Sequence, residues 1–155
     1  MNRDIYLLLY NIRSAFNVGS IFRTADAVGV KKIFLSGYTP YPPDHKLDKT
    51  ALGALDYVDW EYNRDLIFIL NKIKKLDIPI YSAEQKKESY LYTDIKYPKK
   101  ICLALGNEID GVSDEIIKSS DYVIEIPMYG KKNSLNVSVA CGILLYYIKS
   151  SEFLL

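Results

Sequence analysis

Residues 126–142 read IPMYGKKNSLNVSVACG. A short apolar run ends at Pro127, a polar loop with one glycine and two lysines follows, and Ser134 and Asn136 stand just before a long apolar segment. This pattern predicts a buried strand, a loop and a helix capped by Ser134 or Asn136, because both side chains accept hydrogen bonds from free N–H groups at a helix start. The helix dipole would favour an anion near this loop. The loop is a candidate site, although an ordinary strand-to-helix connection has the same pattern.

The composition indicates one globular domain without a strong overall charge. The chain has 155 residues, 49% hydrophobic and 25% charged, which is enough to build one core and argues against disorder. A net charge of +1 means that any contact with nucleic acid needs a local basic patch. No apolar run reaches the roughly 18 residues of a membrane span, and no signal peptide is visible, so we expect a cytoplasmic protein with no membrane partner. Cys102 and Cys141 have no metal-ligand spacing, so we expect buried free thiols and no metal site.

Short apolar runs alternate with helical patterns along the chain. Helices are predicted after Asn17, which would cap the first of them, and after Asn63; Gly29 would end the first helix, and Trp60 would close an irregular region. Fully apolar strands between helices are typical of a parallel sheet covered on both faces, so we predict an α/β fold. The last helix, from Val137 to about Ile148, is apolar nearly all round and should be covered by the core and by a partner subunit. The predicted strands span residues 5–10, 32–36, 78–82, 101–105 and 122–126.

Lysines and tyrosines alternate loosely between Lys86 and Lys100. Tyr90, Tyr92 and Tyr97 in this segment suit base stacking and RNA backbone contact. The chain holds 14 tyrosines, so composition bias explains the segment equally well.

Three polar segments follow strands or begin helices: residues 11–23, 106–111 and 128–136. In open α/β sheets ligands bind outside the carboxyl ends of the strands, so we expect the three segments to converge. Common nucleotide and hydrolase motifs are absent, because Val112 and Ser113 follow Gly111 where a phosphate-binding loop needs lysine, and there is no G-x-G-x-x-G or G-x-S-x-G. The single histidine, His45, lies in a proline-rich loop and reads as solvated rather than catalytic.

Together these segments resemble the SpoU/TrmH-type branch of the SPOUT RNA 2′-O-methyltransferases. The matching pieces are NVGSIFRTA (17–25), LGNEIDGVS (105–113), and IPMYG (126–130) with SLNVS (134–138), in the family's order. The similarity extends from about Ile5 to Tyr147. The resemblance implies a Rossmann-like parallel sheet with a deep C-terminal trefoil knot, S-adenosylmethionine as cofactor, and a homodimer. The chain departs from larger members of the family by having no N- or C-terminal extension, so we expect a single SPOUT methyltransferase domain over residues 1–155 without RNA-binding extensions.

The resemblance also implies roles for individual residues. The family's catalytic arginine falls on Arg23. The remaining active-site positions fall on Asn17, Glu108, Ser134 and Asn136. The cofactor pocket, formed by the knot, would be built largely from the backbone of Ser82, Leu105, Gly106, Ile126, Met128, Ser134 and Leu135.

The implied chemistry agrees with these residue types. A ribose 2′-hydroxyl is a poor nucleophile and must lose its proton as it attacks the methyl group. A guanidinium stays charged, so Arg23 would stabilise the developing alkoxide or steer a substrate phosphate that takes the proton. Asn17 and Glu108 would contact the substrate or hold the site together, and the sequence leaves both roles open.

RNA is the expected acceptor, because DNA lacks the 2′-hydroxyl. Transfer RNA is favoured over ribosomal RNA, because other relatives without extensions act on transfer RNA. Two further alternatives are a non-catalytic RNA-binding or ribosome-assembly factor that keeps the knot, and an unrelated small-molecule enzyme.

Overall fold

The strands form one sheet in which every neighbouring pair is parallel. The structure is a computed structural model that describes residues 2–151. Within these residues the strand order is β3-β2-β1-β6-β4-β7-β5. The strands are β1 (Asp4–Tyr10), β2 (Lys32–Ser36), β3 (Asp59–Asn63), β4 (Ile80–Ala83), β5 (Tyr90–Leu91), β6 (Lys100–Leu105) and β7 (Tyr122–Glu125). The helices are α1 (Ala15–Val28), α2 (His45–Ala51), α3 (Leu66–Lys75), α4 (Asp114–Lys118) and α5 (Val137–Ser150), with a short 3₁₀ helix at Ala54–Asp56.

Helices cover both faces of the sheet. In β1, Leu7 and Leu9 point to the face covered by α1 and α5, while Leu8 points to the face covered by α3 and α4. Successive strand residues face opposite sides, so a strand segment buried on both sides must be continuously apolar, as residues 7–9 of β1 and 101–105 of β6 are. The predicted α/β fold with a parallel, Rossmann-like sheet is confirmed. Among the described residues no helix is long and apolar enough to cross a membrane.

The first helix begins earlier than the sequence pattern suggested. Ser14 is the N-cap of α1, and its hydroxyl accepts a hydrogen bond from the backbone N–H of Asn17. The prediction that Asn17 caps this helix was therefore wrong, and the Asn17 side chain is available for other contacts. Gly29 ends α1 in the left-handed conformation, as predicted. At α5 the cap is Asn136 rather than Ser134.

The edge strand β3 was not predicted. Its sequence, DWEYN, is not an apolar run, because an edge strand is only partly covered and its residues are mostly half-buried. Trp60 therefore lies inside a strand, and Asn63 ends that strand rather than starting a helix. Asp65 caps α3 instead, accepting from the N–H of Ile67 at 3.0 Å. His45, read as a loop residue, is the first residue of α2.

The last helix buries one face and exposes the other. Cys141, Leu144, Leu145 and Ile148 are buried in the core. The opposite face exposes 50% of Val139, 36% of Ile143 and 56% of Tyr146. Cys141 and Cys102 are both buried free thiols, as predicted.

Candidate active site

A cavity of about 330 Å³ opens at the carboxyl ends of β4, β6 and β7. Three connections and the first turns of α5 form its walls, as expected for the ligand-binding edge of an open α/β sheet. The lining residues lie within residues 83–85, 105–111, 124–128 and 133–144. Of the three polar segments expected to converge, those after β6 and β7 line this cavity, whereas residues 11–23 do not line it and join it only through the hydrogen bonds of the α1 start.

Six of the seven residues predicted for the cofactor pocket line this cavity. They are Leu105, Gly106, Ile126, Met128, Ser134 and Leu135. Ser82, whose backbone was expected to contribute, is not among the lining residues, and its side chain is fully buried and hydrogen-bonded to the hydroxyl of Ser120. The next residue, Ala83, is the one that lines the cavity.

The segment after β6 is a tight turn that only glycine permits at its two ends. A Cβ atom at Gly106 would lie 2.3 Å from the carbonyl oxygen of Gly111, and Gly111 has a φ of 73°. Backbone hydrogen bonds of 3.0 and 2.9 Å join Asn107 and Gly111 in both directions. The carboxylate of Glu84 supports the turn from outside by accepting from the N–H of Val112 at 2.9 Å.

Glu84 and Asn107 belong to the site and were not singled out from the sequence. Glu84 directly follows β4, so its position at a strand's carboxyl end was the available signal. The Asn107 side-chain amide donates to the carbonyl oxygen of Asn11 at 2.9 Å and to the hydroxyl of Tyr38 at 2.8 Å. Its oxygen accepts from the N–H of Ile109 at 2.8 Å. Asn107 thus ties the β6 turn to the connections after β1 and β2.

Glu108 ties the same turn to the start of α1. Its carboxylate accepts from the backbone N–H of Arg13 at 2.9 Å, the N–H of Ser14 at 3.1 Å and the side-chain Nδ2 of Asn17 at 3.1 Å. Partial burial of Glu108 opposes its ionisation, but these hydrogen bonds outweigh burial and lower the pKa of its carboxyl below the ordinary glutamate value.

A second side-chain contact extends this network to α5. The Oδ1 of Asn17 accepts from the Nδ2 of Asn136 at 3.1 Å, and the Oδ1 of Asn136 in turn accepts from the N–H of Ser138 at 2.9 Å. Three of the predicted site residues, Asn17, Glu108 and Asn136, are therefore joined directly. Ser134 lies on the same connection as Asn136 and faces the cavity.

Arg23 lies away from the cavity within the same chain. It is exposed and lines a second, shallow groove of about 510 Å³ between α1, α2 and α5, which we call the α1–α2 groove. Within residues 2–151 it makes no hydrogen bond or ion pair. The groove is lined by Ser20, Arg23, Thr24, Ala27, Lys49, Thr50, Leu52 and Tyr146.

The cavity and the α1–α2 groove have opposite electrostatic character. Four carboxylates line the cavity and no lysine or arginine does, so it favours a ligand with positive charge. This differs from the expectation of an anion near the loop before α5. The groove has two cationic side chains and no carboxylate, which suits a polyanion. The cavity carboxylates belong to Glu84, Glu108, Asp110 and Glu125.

The basic and aromatic segment at 86–100 contributes less surface than its sequence suggested. Tyr97 is fully buried and donates its hydroxyl hydrogen to the carbonyl oxygen of Tyr92 at 2.6 Å, so it cannot stack on a base. The ring of Tyr92 packs edge-on against Tyr147. Of the three tyrosines only Tyr90 is exposed, at 50%.

A parallel α/β sheet with a loop-built cavity at its carboxyl edge is the arrangement in which Rossmann-like proteins bind small molecules. Comparison with known proteins narrows this class. The profile of the SpoU rRNA Methylase family matches residues 4–146. The chain therefore belongs to this family, and the family resemblance seen in its three motifs is confirmed.

Individual relatives agree with this assignment. The tRNA (guanosine(18)-2′-O)-methyltransferase of Aquifex aeolicus is 36% identical over 145 residues, which are 93% of this chain and 68% of that protein. The crystal structure of the Aquifex aeolicus TrmH/SpoU tRNA modifying enzyme matches with a TM-score of 0.85 and 33% identity, covering 96% of this chain and 75% of the other. The AdoMet-bound rRNA methyltransferase of Sinorhizobium meliloti matches with a TM-score of 0.87 and 27% identity, covering 96% of this chain and 57% of the other.

Proposed function

We propose that this protein transfers a methyl group from S-adenosylmethionine to a ribose 2′-hydroxyl of RNA. The observation that carries the proposal is the arrangement of the three motif segments. Two of them build one cavity, and Glu108, Asn17 and Asn136 connect that cavity to the helix that bears Arg23. Transfer RNA is the favoured substrate, in line with the Aquifex relative, and ribosomal RNA is the alternative, in line with the Sinorhizobium relative.

The cavity residues fit S-adenosylmethionine. When bound, this cofactor supplies the methyl group from a positively charged sulfonium. The four cavity carboxylates would favour that charge, and Leu105, Ile126 and Leu135 give apolar contact area for a nucleoside. The backbone of Gly106 and the side chain of Ser134 lie beside them with polar atoms for orientation. We propose that a deep trefoil knot forms this pocket; the interleaving of the segments after β4, β6 and β7 around one cavity supports it.

Arg23 would act on the substrate from the α1–α2 groove. Its guanidinium remains positively charged during the reaction and would stabilise the alkoxide or hold a phosphate that accepts the proton. We propose that the protein is a homodimer and that a second copy brings its cavity to this arginine. The support is the position of Arg23 outside the cavity of its own chain, and the exposed apolar face of α5, where Tyr146 adjoins the groove. Asn17 and Glu108 hold the α1 start and the β6 turn together rather than reacting.

The proposal is tested by transfer of labelled methyl from S-adenosylmethionine to unmodified transfer RNA and ribosomal RNA, followed by nuclease mapping of 2′-O-methyl sites. We expect one protected ribose, lost in Arg23→Ala, while that variant keeps the wild-type affinity for S-adenosylmethionine in calorimetry. Loss of cofactor binding in Arg23→Ala would instead assign Arg23 to the cofactor pocket. Cofactor binding by the wild type without transfer to either RNA would contradict the proposed reaction and favour a non-catalytic RNA-binding factor.

A further inference from the structure

Lys49 stands beside Arg23 in the α1–α2 groove. Both side chains are cations, and the residues that line the groove include no carboxylate. Neither side chain forms an ion pair with any residue in the described part of the chain. Two unneutralised cations facing one groove form a local binding site for a phosphate group, in a protein whose net charge of +1 gives no general attraction for RNA.

The position of Lys49 relative to α1 is fixed by close helix packing. A Cβ atom at Gly19 would lie 2.1 Å from the Oγ1 of Thr50 and 2.4 Å from the carbonyl oxygen of Leu47, so the absence of a side chain at Gly19 lets α2 approach α1. The hydroxyl of Thr50 also donates to the carbonyl oxygen of Phe16 at 2.8 Å. The residue next to Lys49 is thus anchored to α1, and the charge is presented from a rigid element.

The side chain of Lys49 contacts the aromatic ring of Phe16. The Nζ of Lys49 lies 5.9 Å from the centre of this ring, within the range of a cation–π contact. Such a contact at an exposed site is weak and leaves the three N–H donors of the ammonium free for an anion. It restricts the freedom of the side chain without neutralising its charge.

The groove continues directly from the Glu108–Asn17–Asn136 network. Ser20 lines the groove three residues after Asn17, about 4.5 Å further along the same side of α1. A polynucleotide that places its ribose near Asn17 and Asn136 would place a neighbouring phosphate over the groove. We propose that Lys49 binds an RNA phosphate adjacent to the reacting ribose and so positions the 2′-hydroxyl. This inference rests on the proposed function and adds a substrate-binding residue to it.

The test compares Lys49→Gln with wild type in steady-state methyl transfer to the transcript that wild type methylates, at 50 and 200 mM salt. A phosphate contact makes affinity depend on salt, and one contact changes affinity by a factor of about 3 between these two concentrations. We therefore expect Lys49→Gln to raise the KM for RNA, to change kcat less than twofold, and to show a salt-dependent rise in KM that is smaller by a factor of about 3. Lys49→Arg, which keeps the charge, should restore both values.

The matched control is Lys74→Gln, which removes the same charge from α3 on the opposite face of the sheet and should leave KM and its salt dependence unchanged. Equal effects of the two variants would overturn the inference, because they would reflect net charge. An unchanged KM, or a fall in kcat alone, would also overturn it. If wild type transfers no methyl group to any RNA, the proposed function itself fails; if wild type is active and Lys49→Gln matches it, only this inference fails.

Discussion

Glu108→Gln should destabilise the fold measurably although it changes one atom. The carboxylate accepts three hydrogen bonds, from the N–H of Arg13, the N–H of Ser14 and the Nδ2 of Asn17. In the glutamine side chain the remaining oxygen still accepts from Ser14 and Asn17. The new NH₂ group faces the N–H of Arg13, and two donors cannot form a hydrogen bond. A hydrogen bond to a charged group contributes roughly 1.5–3 kcal/mol and a neutral one roughly 0.5–1.5 kcal/mol, so one lost bond and two bonds weakened by about 1 kcal/mol each would cost roughly 3.5–5 kcal/mol at a fully buried site.

Solvent lowers the expected loss of stability below this range. Arg13 is exposed, so water replaces its lost acceptor, and we expect a loss of about 2 kcal/mol in the free energy of unfolding. For a domain of this size that corresponds to a fall in Tm of about 4–8 °C. The assay is thermal unfolding at one fixed protein concentration, since dimerisation would make Tm depend on concentration. Glu88→Gln, on an exposed side chain without a hydrogen bond among residues 2–151, is the control and should leave Tm unchanged.

The pH dependence of the Tm difference between wild type and Glu108→Gln tests the role of the carboxylate. The folded-state pKa of Glu108 is lowered, so its ionised form stabilises the fold above the ordinary glutamate pKa of about 4.3, and that contribution is lost as the pH falls below this value. The difference in Tm between wild type and Glu108→Gln should therefore be full at pH 7 and shrink as the pH falls below about 4. A difference that is absent at pH 7, or that stays constant down to pH 3, would refute the role assigned to the carboxylate.

Three further substitutions test the cavity and the dimer. Gly106→Ala brings a Cβ within 2.3 Å of the Gly111 carbonyl oxygen, and we expect a destabilisation of about 2 kcal/mol in denaturant unfolding together with loss of S-adenosylmethionine binding in calorimetry. Unchanged stability would contradict the close contact between the two glycines. Ala140→Leu adds volume to the cavity wall on α5 and should weaken S-adenosylmethionine binding at least about tenfold while Tm falls by less than about 2 °C. Equal calorimetric affinity would place the cofactor elsewhere. Ile143→Glu puts a charge on the exposed apolar face of α5, and light scattering after gel filtration should show a dimer for wild type and a monomer for the variant. A monomeric wild type would contradict the proposed assembly.

The fold was predictable because its central strands are buried on both faces. β1, β2 and β6 each lie between helices, so each has a continuous apolar run in its buried middle that stands out without reference to any partner. The edge strand β3 lacks that signal, since its residues are only partly covered. The two-residue β5, within the Lys86–Lys100 segment, is too short to produce any periodicity. The edge strands are therefore the part of the sheet that the sequence does not predict, because partly covered strands need not be apolar.

The N-cap of α1 could not be predicted for a different reason. Ser14 and Asn17 are both good caps, three residues apart, and local preference does not decide between them. A distant residue determines which of the two is the cap. Glu108 accepts hydrogen bonds from the side chain of Asn17 and from the N–H groups of Arg13 and Ser14. The Asn17–Glu108 hydrogen bond joins residues 91 positions apart, so it cannot be predicted from the sequence around α1.

The candidate site depends on such contacts more than the core does. Glu108, Asn17 and Asn136 come from three separate segments, and each makes at least one side-chain hydrogen bond to another member of the set. Asn136 also caps α5 through the same oxygen that accepts from Ser138. The β6 turn is therefore linked by hydrogen bonds to the start of α1 through Glu108, and the start of α1 is linked to the start of α5 through Asn17 and Asn136. Because Asn17 and Glu108 share one hydrogen bond, the effects of their substitutions should not add, and Asn17→Ala should weaken the effect of Glu108→Gln on stability.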